Sequence, residues 1–391
     1  MILENVKMIG CDEPVNILVR DGKIISINST SNKNQAVGFT LTFDGARIFP
    51  GIINSHDHLD FNLFTQLGNR IYDNYTEWGK YLHENYKEEI AQVLKIPVLL
   101  RTEWGVFKNL LCGVTTVVNH GEPSGMGNKL ITVFEKTQCI HSVGFEKKWI
   151  ARLNNPVKWN LPVNIHAGEG TDLASKKEID SLIKWNLLNR KLIGTHGVAM
   201  TEVQAKKFEA LIWCPESNYF LLNASAQVDL LSSHTNILFG TDSTLTAPWN
   251  IWDHLQLAQK TKFLDDKKLY ATLNVNPARA WRLNKGQIAV GKDADLVIVK
   301  SKNGYHGLDA FFDTSPENIL LVMHNGNIRL FDESLKAQRD KEQLDGFSKI
   351  YVNGSCKHVQ GNLPSLMEKI KGFNPNIQFP VTAKQPEYAH S

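Results

Sequence analysis

The sequence predicts an α/β chain: a (β/α)8 TIM barrel in the middle and a β module assembled from the two ends. Three observations carry this. Short apolar runs alternate with longer amphipathic stretches between residues 47 and 282, the rhythm of βα units around a parallel sheet. Hairpin-like patterns occur near both ends of the chain and not between them. Histidines and acidic residues collect just after the middle strands, on the rim where a barrel builds its active face.

Taken in order, residues 1–46 contain VNILVRDGKIISI, in which β-branched residues flank Asp21-Gly22 and mark a hairpin. The same texture returns in GQIAVGKDADLVIV (286–299) and ILLVMHNGNIRLF (319–331), so 1–46 and 283–350 are expected to form one β module. Within 47–282, the expected strands are 52–54, 114–119, 130–134, 140–144, 163–165, 192–195, 210–214 and 237–240. Eight parallel strands imply closure. Helices are expected at 90–111, interrupted at Pro97, and at 178–188, 202–209 and 252–273. The five residues between Phe134 and Ile140 are too few for a crossover helix, so either the third helix is missing or one strand is misplaced. Residues 351–391 read as an appendage on the surface, with one helical piece at 366–371.

Lys and Arg number 43 against 40 Asp and Glu, a formal charge of +3 without a concentrated basic run, which argues against nucleic acid as a partner. A small-molecule substrate is expected instead. Cys11, Cys112, Cys139, Cys214 and Cys356 are odd in number and share no Cys-x-x-Cys spacing, so neither a disulfide framework nor a zinc knuckle is indicated and a cytoplasmic location fits. No leader-like pattern and no run of apolar residues of membrane-spanning length is present, so no membrane partner is expected; a homo-oligomer stays open.

The stretch GIINSHDHLD ends the first strand with two histidines one residue apart. Alternate residues of a strand share a face, about 7 Å apart along the backbone, so His56 and His58 can turn toward one ion. His120 follows the second strand, His166 the fifth, His196 the sixth and Asp242 the eighth. Imidazoles with a carboxylate suit zinc or iron and match Cu(I) and Ca²⁺ poorly. One divalent ion, zinc first and iron second, is therefore assigned to His56, His58, His166 and Asp242, with a position left for water. Such an ion makes hydroxide available near neutral pH. His196 is left to shuttle a proton or stabilise charge, and Glu169, three residues after His166, to act as general acid.

These pieces resemble the amidohydrolase superfamily, in the pattern of its cytosine deaminase and chlorohydrolase-like branch of metal-dependent hydrolases. The matching segments are PGIINSHDH, CGVTTVVNHG, NIHAGEG, GTHG, WCPESN, FGTDS, ATLNVNPARAW and GQIAVGKDADLVIV, in that order up to about residue 330. The resemblance implies a distorted (β/α)8 TIM barrel flanked by a small β-sandwich domain built from both termini. It also implies one catalytic metal and hydrolysis of a ring or exocyclic carbon–nitrogen bond. Glu169 would protonate a ring nitrogen while His196 and Asp242 manage the water proton. No lysine follows a fourth strand where binuclear relatives carry a carboxylated bridge; Lys147 and Lys148 come late, so a mononuclear site is expected.

The expected reaction is deamination of a nucleobase- or triazine-like heterocycle. Ring-amide hydrolysis of the imidazolonepropionase kind, hydrolytic dechlorination at the same site, and a non-catalytic scaffold are the rivals. Loop one offers Phe61, Phe64, Arg70, Tyr72 and Trp78 as pocket walls; His120, after the second strand, and Glu216 and Asn218, in CPESN after the seventh, are candidate substrate contacts. Each has a bland alternative: the aromatics can pack the loop, a strand-end histidine can cap backbone, and Pro-Glu-Ser-Asn is a good turn. Cys214 reads as a buried small apolar residue. His83, His141, His234, His254, His306, His324, His358 and His390 fall outside the rim pattern and are given structural or exposed roles.

Overall fold

The computed structural model describes residues 1–29, 39–126, 130–300 and 306–385; His390 lies outside them. Strands β1 (Ile2–Met8), β2 (Pro14–Arg20), β3 (Lys23–Ser29), β4 (Thr40–Thr42) and β5 (Ala46–Pro50) come first. The middle carries β6 (Ile52–Asp57), β7 (Val114–Asn119), β8 (Thr132–Phe134), β9 (Gln138–Ser142), β10 (Val163–Ala167), β11 (Leu192–His196), β12 (Ala210–Trp213) and β13 (Asn236–Phe239). Then follow β14 (Leu296–Lys300), β15 (Ile319–His324), β16 (Asn327–Asp332), β17 (Phe347–Val352), β18 (Ser355–Gln360) and β19 (Val381–Thr382).

The result is a mixed α/β fold with parallel sheets. All eight middle strands pair in parallel, as a three-stranded sheet β6-β7-β8 and a five-stranded sheet β13-β12-β11-β10-β9. One seam falls between β8 and β9, joined by only three residues, so the missing third helix coincides with the break in the ladder. At the other seam, the amides of Thr241 and Asp242 donate to the carbonyl of His56 at 3.1 and 3.0 Å. Strands β10, β11 and β12 are buried along their whole length, which is why they read as continuous apolar runs.

The helices are α1 (Tyr75–Asn85), α2 (Lys87–Leu94), α3 (Val98–Leu111), α4 (Trp149–Leu153), α5 (Leu173–Lys184), α6 (Glu202–Ala205), α7 (Pro215–Leu222), α8 (Val228–Leu231), α9 (Ile251–Thr261), α10 (Asp266–Ala271), α11 (Val275–Ala280), α12 (Gly307–Phe312) and α13 (Leu363–Phe373). Pro97 divides α2 from α3 as expected, standing at the N-cap of α3. The expected helix 252–273 is two: Lys262 adopts φ +60° at the end of α9, and the Asp265 side chain caps α10 by accepting from the Lys268 amide. The expected helix 178–188 starts earlier, at Leu173, because Asp172 caps it through the Ser175 amide.

Both ends of the chain enter one sheet, in the order β19-β17-β18-β16-β15-β14-β5-β1-β2-β3 with β4 beside β1. The boundary drawn at 350/351 lies inside β17, and β18 and β19 continue the sheet beyond it. Residues past 350 are thus partly sheet, since the Asn353-Gly354 break is the turn of a β17–β18 hairpin rather than the start of a loose tail. Among the described residues no helix is long and apolar enough to cross a membrane.

Candidate active site

The polar residues flagged at strand ends converge. His56, next to last in β6, stands beside the β13 loop, where space is tight: a Cβ on Gly240 would lie 2.7 Å from the His56 Cβ, so only glycine fits. The Nε2 atoms of His56 and His166 are 3.2 Å apart. The carboxylate of Asp242 approaches through Oδ1, 3.8 Å from His56 Nε2 and 3.7 Å from His58 Nε2. His120 stacks on His166 with centroids 4.2 Å apart, and neither of its ring nitrogens has a partner.

Burial, joined by the charge of neighbouring imidazoles, holds His56, His120 and His166 far below the usual histidine range. The rings are therefore neutral, with lone pairs free to bind a cation. Burial raises the Asp242 carboxyl, but His58, His196 and the Ser217 hydroxyl outweigh it and the group ends below its ordinary value. Its Oδ2 accepts from Ser217 Oγ at 2.7 Å and Thr246 Oγ1 at 3.1 Å, and Oδ1 from the Ser243 amide at 2.9 Å.

Glu169 has the opposite fate. Burial and then the nearby Asp242 raise its carboxyl well above the ordinary range, which favours its protonated form. Its Oε2 lies 3.5 Å from His196 Nε2. Burial lowers His196 to about 4. Asn218 Nδ2 donates to His196 Nδ1 at 2.9 Å, which leaves the ring proton on Nε2, toward Glu169. Both His196 (φ +73°) and Asp242 (φ +57°) hold left-handed backbone that non-glycine residues rarely adopt. Each costs about 1–3 kcal/mol, a strain that clusters at functional sites.

Behind the histidines lies a buried polar network. Asp57, between His56 and His58, is fully buried and accepts from Lys108 Nζ at 3.1 Å, Asn109 Nδ2 at 2.7 Å and Asn62 Nδ2 at 2.8 Å. Asn62 Oδ1 also accepts from Lys108 Nζ and the Thr244 amide, and Asn54 binds Asn109 and Thr241. The network ties the His56–His58 segment to the Asp242 loop.

The other expected contacts divide. Phe61 stacks on His58 at 5.5 Å, and Asn218 orients His196, so both stand at the site. Arg70 does not: it is half-exposed and paired with Glu77 Oε1 at 2.8 Å, over the rings of Tyr72 and Tyr81. A closer carboxylate and two aromatic faces hold its guanidinium in the loop. Glu216 has Asp253 and Lys260 as its charged neighbours rather than the histidines, because Pro215 starts α7 and makes Glu216 part of its first turn. Phe64 and Tyr72 are buried, and Trp78 Nε1 donates to the Leu67 carbonyl, so these aromatics pack the loop. Cys214 is buried and burial raises its thiol, the state of an inert apolar residue.

The sequence pattern puts His141 outside the rim, yet its ring lies 5.0 Å from His166 and 6.2 Å from His120. The missed signal is its place two residues into an expected strand: β9 ends at Ser142, so His141 is already at the carboxyl end. Ser217 and Thr246 were also missed as partners of Asp242.

A divalent ion fits this donor set. Two nitrogens on a tetrahedral ion at about 2.0–2.1 Å stand about 3.3 Å apart, and His56 Nε2 and His166 Nε2 show 3.2 Å. Two groups of three donors lie within 4.8 Å of one another, His56 with His120 and His166, and His56 with His196 and Asp242. His58 belongs to neither, and meets the cluster through Asp242.

Comparison with known proteins points the same way. A family model described as "Amidohydrolase family" matches residues 140–329. The chain is 28% identical over 241 residues to the 5-methylthioadenosine/S-adenosylhomocysteine deaminase of Pyrococcus furiosus, covering 52% of this chain and 54% of that protein. The chain thus spans about half the length of that relative. The 5'-deoxyadenosine deaminase of Methanosphaera stadtmanae is 23% identical over 362 residues, covering 73% of this chain and 85% of that protein. Among solved structures, an adenosine deaminase from Xanthomonas campestris with bound zinc superposes with a TM-score of 0.70 at 16% identity, over 96% of this chain and 98% of that one. At that identity the likeness is one of fold. The family model thus covers β9 to β16, just under half of the chain, and the fold of the zinc-bound deaminase is shared along nearly its whole length.

Proposed function

We propose that this chain is a metal-dependent hydrolase that replaces an exocyclic amine on a heterocyclic small molecule with oxygen. Residues 47–282 would form the barrel across both seams, and the sheet from the two ends its flanking domain. The observation that carries the reading is a pair of buried carboxyl groups pushed in opposite directions, Glu169 protonated and Asp242 ionised, on either side of His196. Such a split assigns an acid and a base within one site.

When bound among His56, His58, His166 and Asp242, a divalent ion supplies Lewis acidity and lowers the pKa of water toward about 7. Glu169 donates its carboxyl proton to a ring nitrogen, which makes the amine-bearing carbon electrophilic. Asp242 accepts a proton from the attacking water, and His196 Nε2–H donates a hydrogen bond to the oxygen that gains charge. As the carbon–nitrogen bond breaks, the proton taken from water passes to the departing nitrogen. Water's oxygen stays on the ring, its remaining proton returns to the Glu169 carboxylate, and ammonia leaves. Phe61, parallel to the His58 ring, offers an aromatic face to a planar substrate. His120, buried with both nitrogens unpartnered, is free to contact substrate or ion.

The relatives' named substrates favour adenine nucleosides. The test is an ammonia-release screen of 5'-methylthioadenosine, S-adenosylhomocysteine, 5'-deoxyadenosine and adenosine beside guanine, cytosine, triazines and pterins, with metal analysis of the same protein. Ammonia from one ring class supports the reading and names the substrate family. Metal without ammonia moves it to ring-amide hydrolysis or chloride displacement, and absence of transition metal to a scaffold.

A further inference from the structure

Away from the parallel strands, three donor atoms of different chemistry meet on the large mixed sheet. Strand β18 lies between β16 and β17, and Cys356 and His358, two residues apart on it, share one face. The β16–β18 register sets Phe331 against His358 and Asp332 against Lys357, so the next residue, Glu333, falls beside Cys356. The four side chains Phe331, Glu333, Cys356 and His358 make a square on that face. His358 Nε2 is 2.5 Å from Glu333 Oε2, and Cys356 Sγ is 3.3 Å from the same oxygen.

We propose that Glu333, Cys356 and His358 form a second metal site, one that takes a zinc-class divalent ion. Their donor atoms already lie within 4.8 Å of one another. Sulfur, imidazole nitrogen and carboxylate oxygen together match Zn²⁺ or Co²⁺ and match Mg²⁺ or Ca²⁺ poorly. On a tetrahedral ion the nitrogen–oxygen edge is about 3.3 Å and the sulfur–oxygen edge about 3.6 Å. The sulfur–oxygen contact is thus already close to such an edge, and the nitrogen–oxygen contact must open by about 0.8 Å. The Glu333 side chain is 40% exposed on a short turn and can make that movement.

The surroundings prepare the site. Phe331 lies flat on His358, 4.7 Å away and 6° from parallel, and fixes the plane of the imidazole. Lys336 Nζ holds Glu333 Oε1 at 3.2 Å, which leaves Oε2 to face the sulfur and nitrogen. The ammonium of Lys357, between the two β18 donors in sequence, is engaged by Asp332 Oδ2 at 2.6 Å and by the carbonyls of Glu317 and Ile319. On binding, the Cys356 thiol releases its proton to solvent and its sulfur bonds the ion. The proton on His358 Nε2 that makes the bond to Glu333 moves to Nδ1, so that hydrogen bond gives way to two metal–ligand bonds, with water in the fourth position.

The test strips purified full-length protein with a chelator and titrates it with Co²⁺. The expected result is a near-ultraviolet thiolate-to-cobalt band, absent in Cys356→Ser and shifted to at least about tenfold weaker affinity in Glu333→Gln. Cys356→Ser should bind one equivalent fewer than the parent. Melting curves of the metal-free proteins show that each variant is folded, and the partly exposed Glu333 provides a second route should Cys356→Ser fail to fold. A parent protein without the band, or a band that survives in Cys356→Ser, overturns the proposal. Failure of the histidine cluster to bind metal would lower the total but leave this band in place, so the two readings fail separately.

Discussion

Lys285, Asp295 and His324 lie where the mixed sheet meets β7 and β8, as deeply buried as the histidines at the strand ends. The two clusters use similar residues and differ in what they leave open. Lys285 Nζ reaches Asp295 Oδ2 at 2.6 Å and the hydroxyls of Thr116 and Thr132, His324 Nδ1 reaches Asp295 Oδ2 at 3.2 Å, and the Asn325 amide donates to Asp295 Oδ1. The charge is neutralised and the protein supplies the partners. At the strand ends, by contrast, the neutral rings of His56 and His166 turn their Nε2 atoms on one another at 3.2 Å, and His120 leaves both nitrogens unpartnered. A buried polar group without a partner is costly, and a chain that concentrates several in one place has left them for something it binds.

Changing one side of this contrast should leave the other untouched. The largest effect is expected at Glu169: Glu169→Gln should cut ammonia release by about 10²–10⁴-fold while metal stays bound, whereas Asp242→Ala should lose activity and metal together. Equal metal loss in both would remove Glu169 from its role as proton donor. In the structural cluster, Lys285→Met strands a buried carboxylate that its partners hold below the usual range, and should cost about 3–5 kcal/mol of stability. Denaturant melts would measure it, with metal content unchanged. A variant as stable as the parent would show that the closed cluster is not what it looks like.

Glu178 stands between the two cases, since Tyr75 donates to its Oε2 while Oε1 is buried and unpartnered. Burial raises it from 4.5 to about 7. The folded chain then keeps a proton that the unfolded chain releases, so this group removes stability as pH climbs from 4.5 to about 7. The effect is at most about 3 kcal/mol. Glu178→Gln should flatten the melting temperature across that window relative to wild type, and parallel curves would contradict the assignment.

The strand ends were legible because a buried parallel strand is a short apolar run, and the histidines and acidic residues just past it mark the rim. His56, His58, His166, His196 and Asp242 needed nothing more. His141 was lost because its strand ends two residues earlier than the run of letters suggests. Helices α1 and α7 were hidden for different reasons: α1 begins at the Asn74 cap inside what reads as an aromatic loop, and α7 begins with a Pro-Glu-Ser-Asn sequence that is also a good turn. The network behind the histidines left one trace, a lysine in the apolar stretch WGVFKNLL, whose partner Asp57 is 51 residues away in sequence. Long-range pairing of this kind has no local period to reveal it.

The bond from Asn54 to Thr241 joins points 187 residues apart, and Asn62 reaches Thr244 across 182. Bringing such distant points together costs a loop-closure entropy of about 5 kcal/mol, which neighbouring strands must offset before the two halves of the donor set can meet. A growing polypeptide therefore cannot bring Asp242 to His56, His58 and His166 until the chain past Thr241 has been made. A ribosome-bound chain ending before Thr241 should gain no protection from metal, and one extending past Thr246 should.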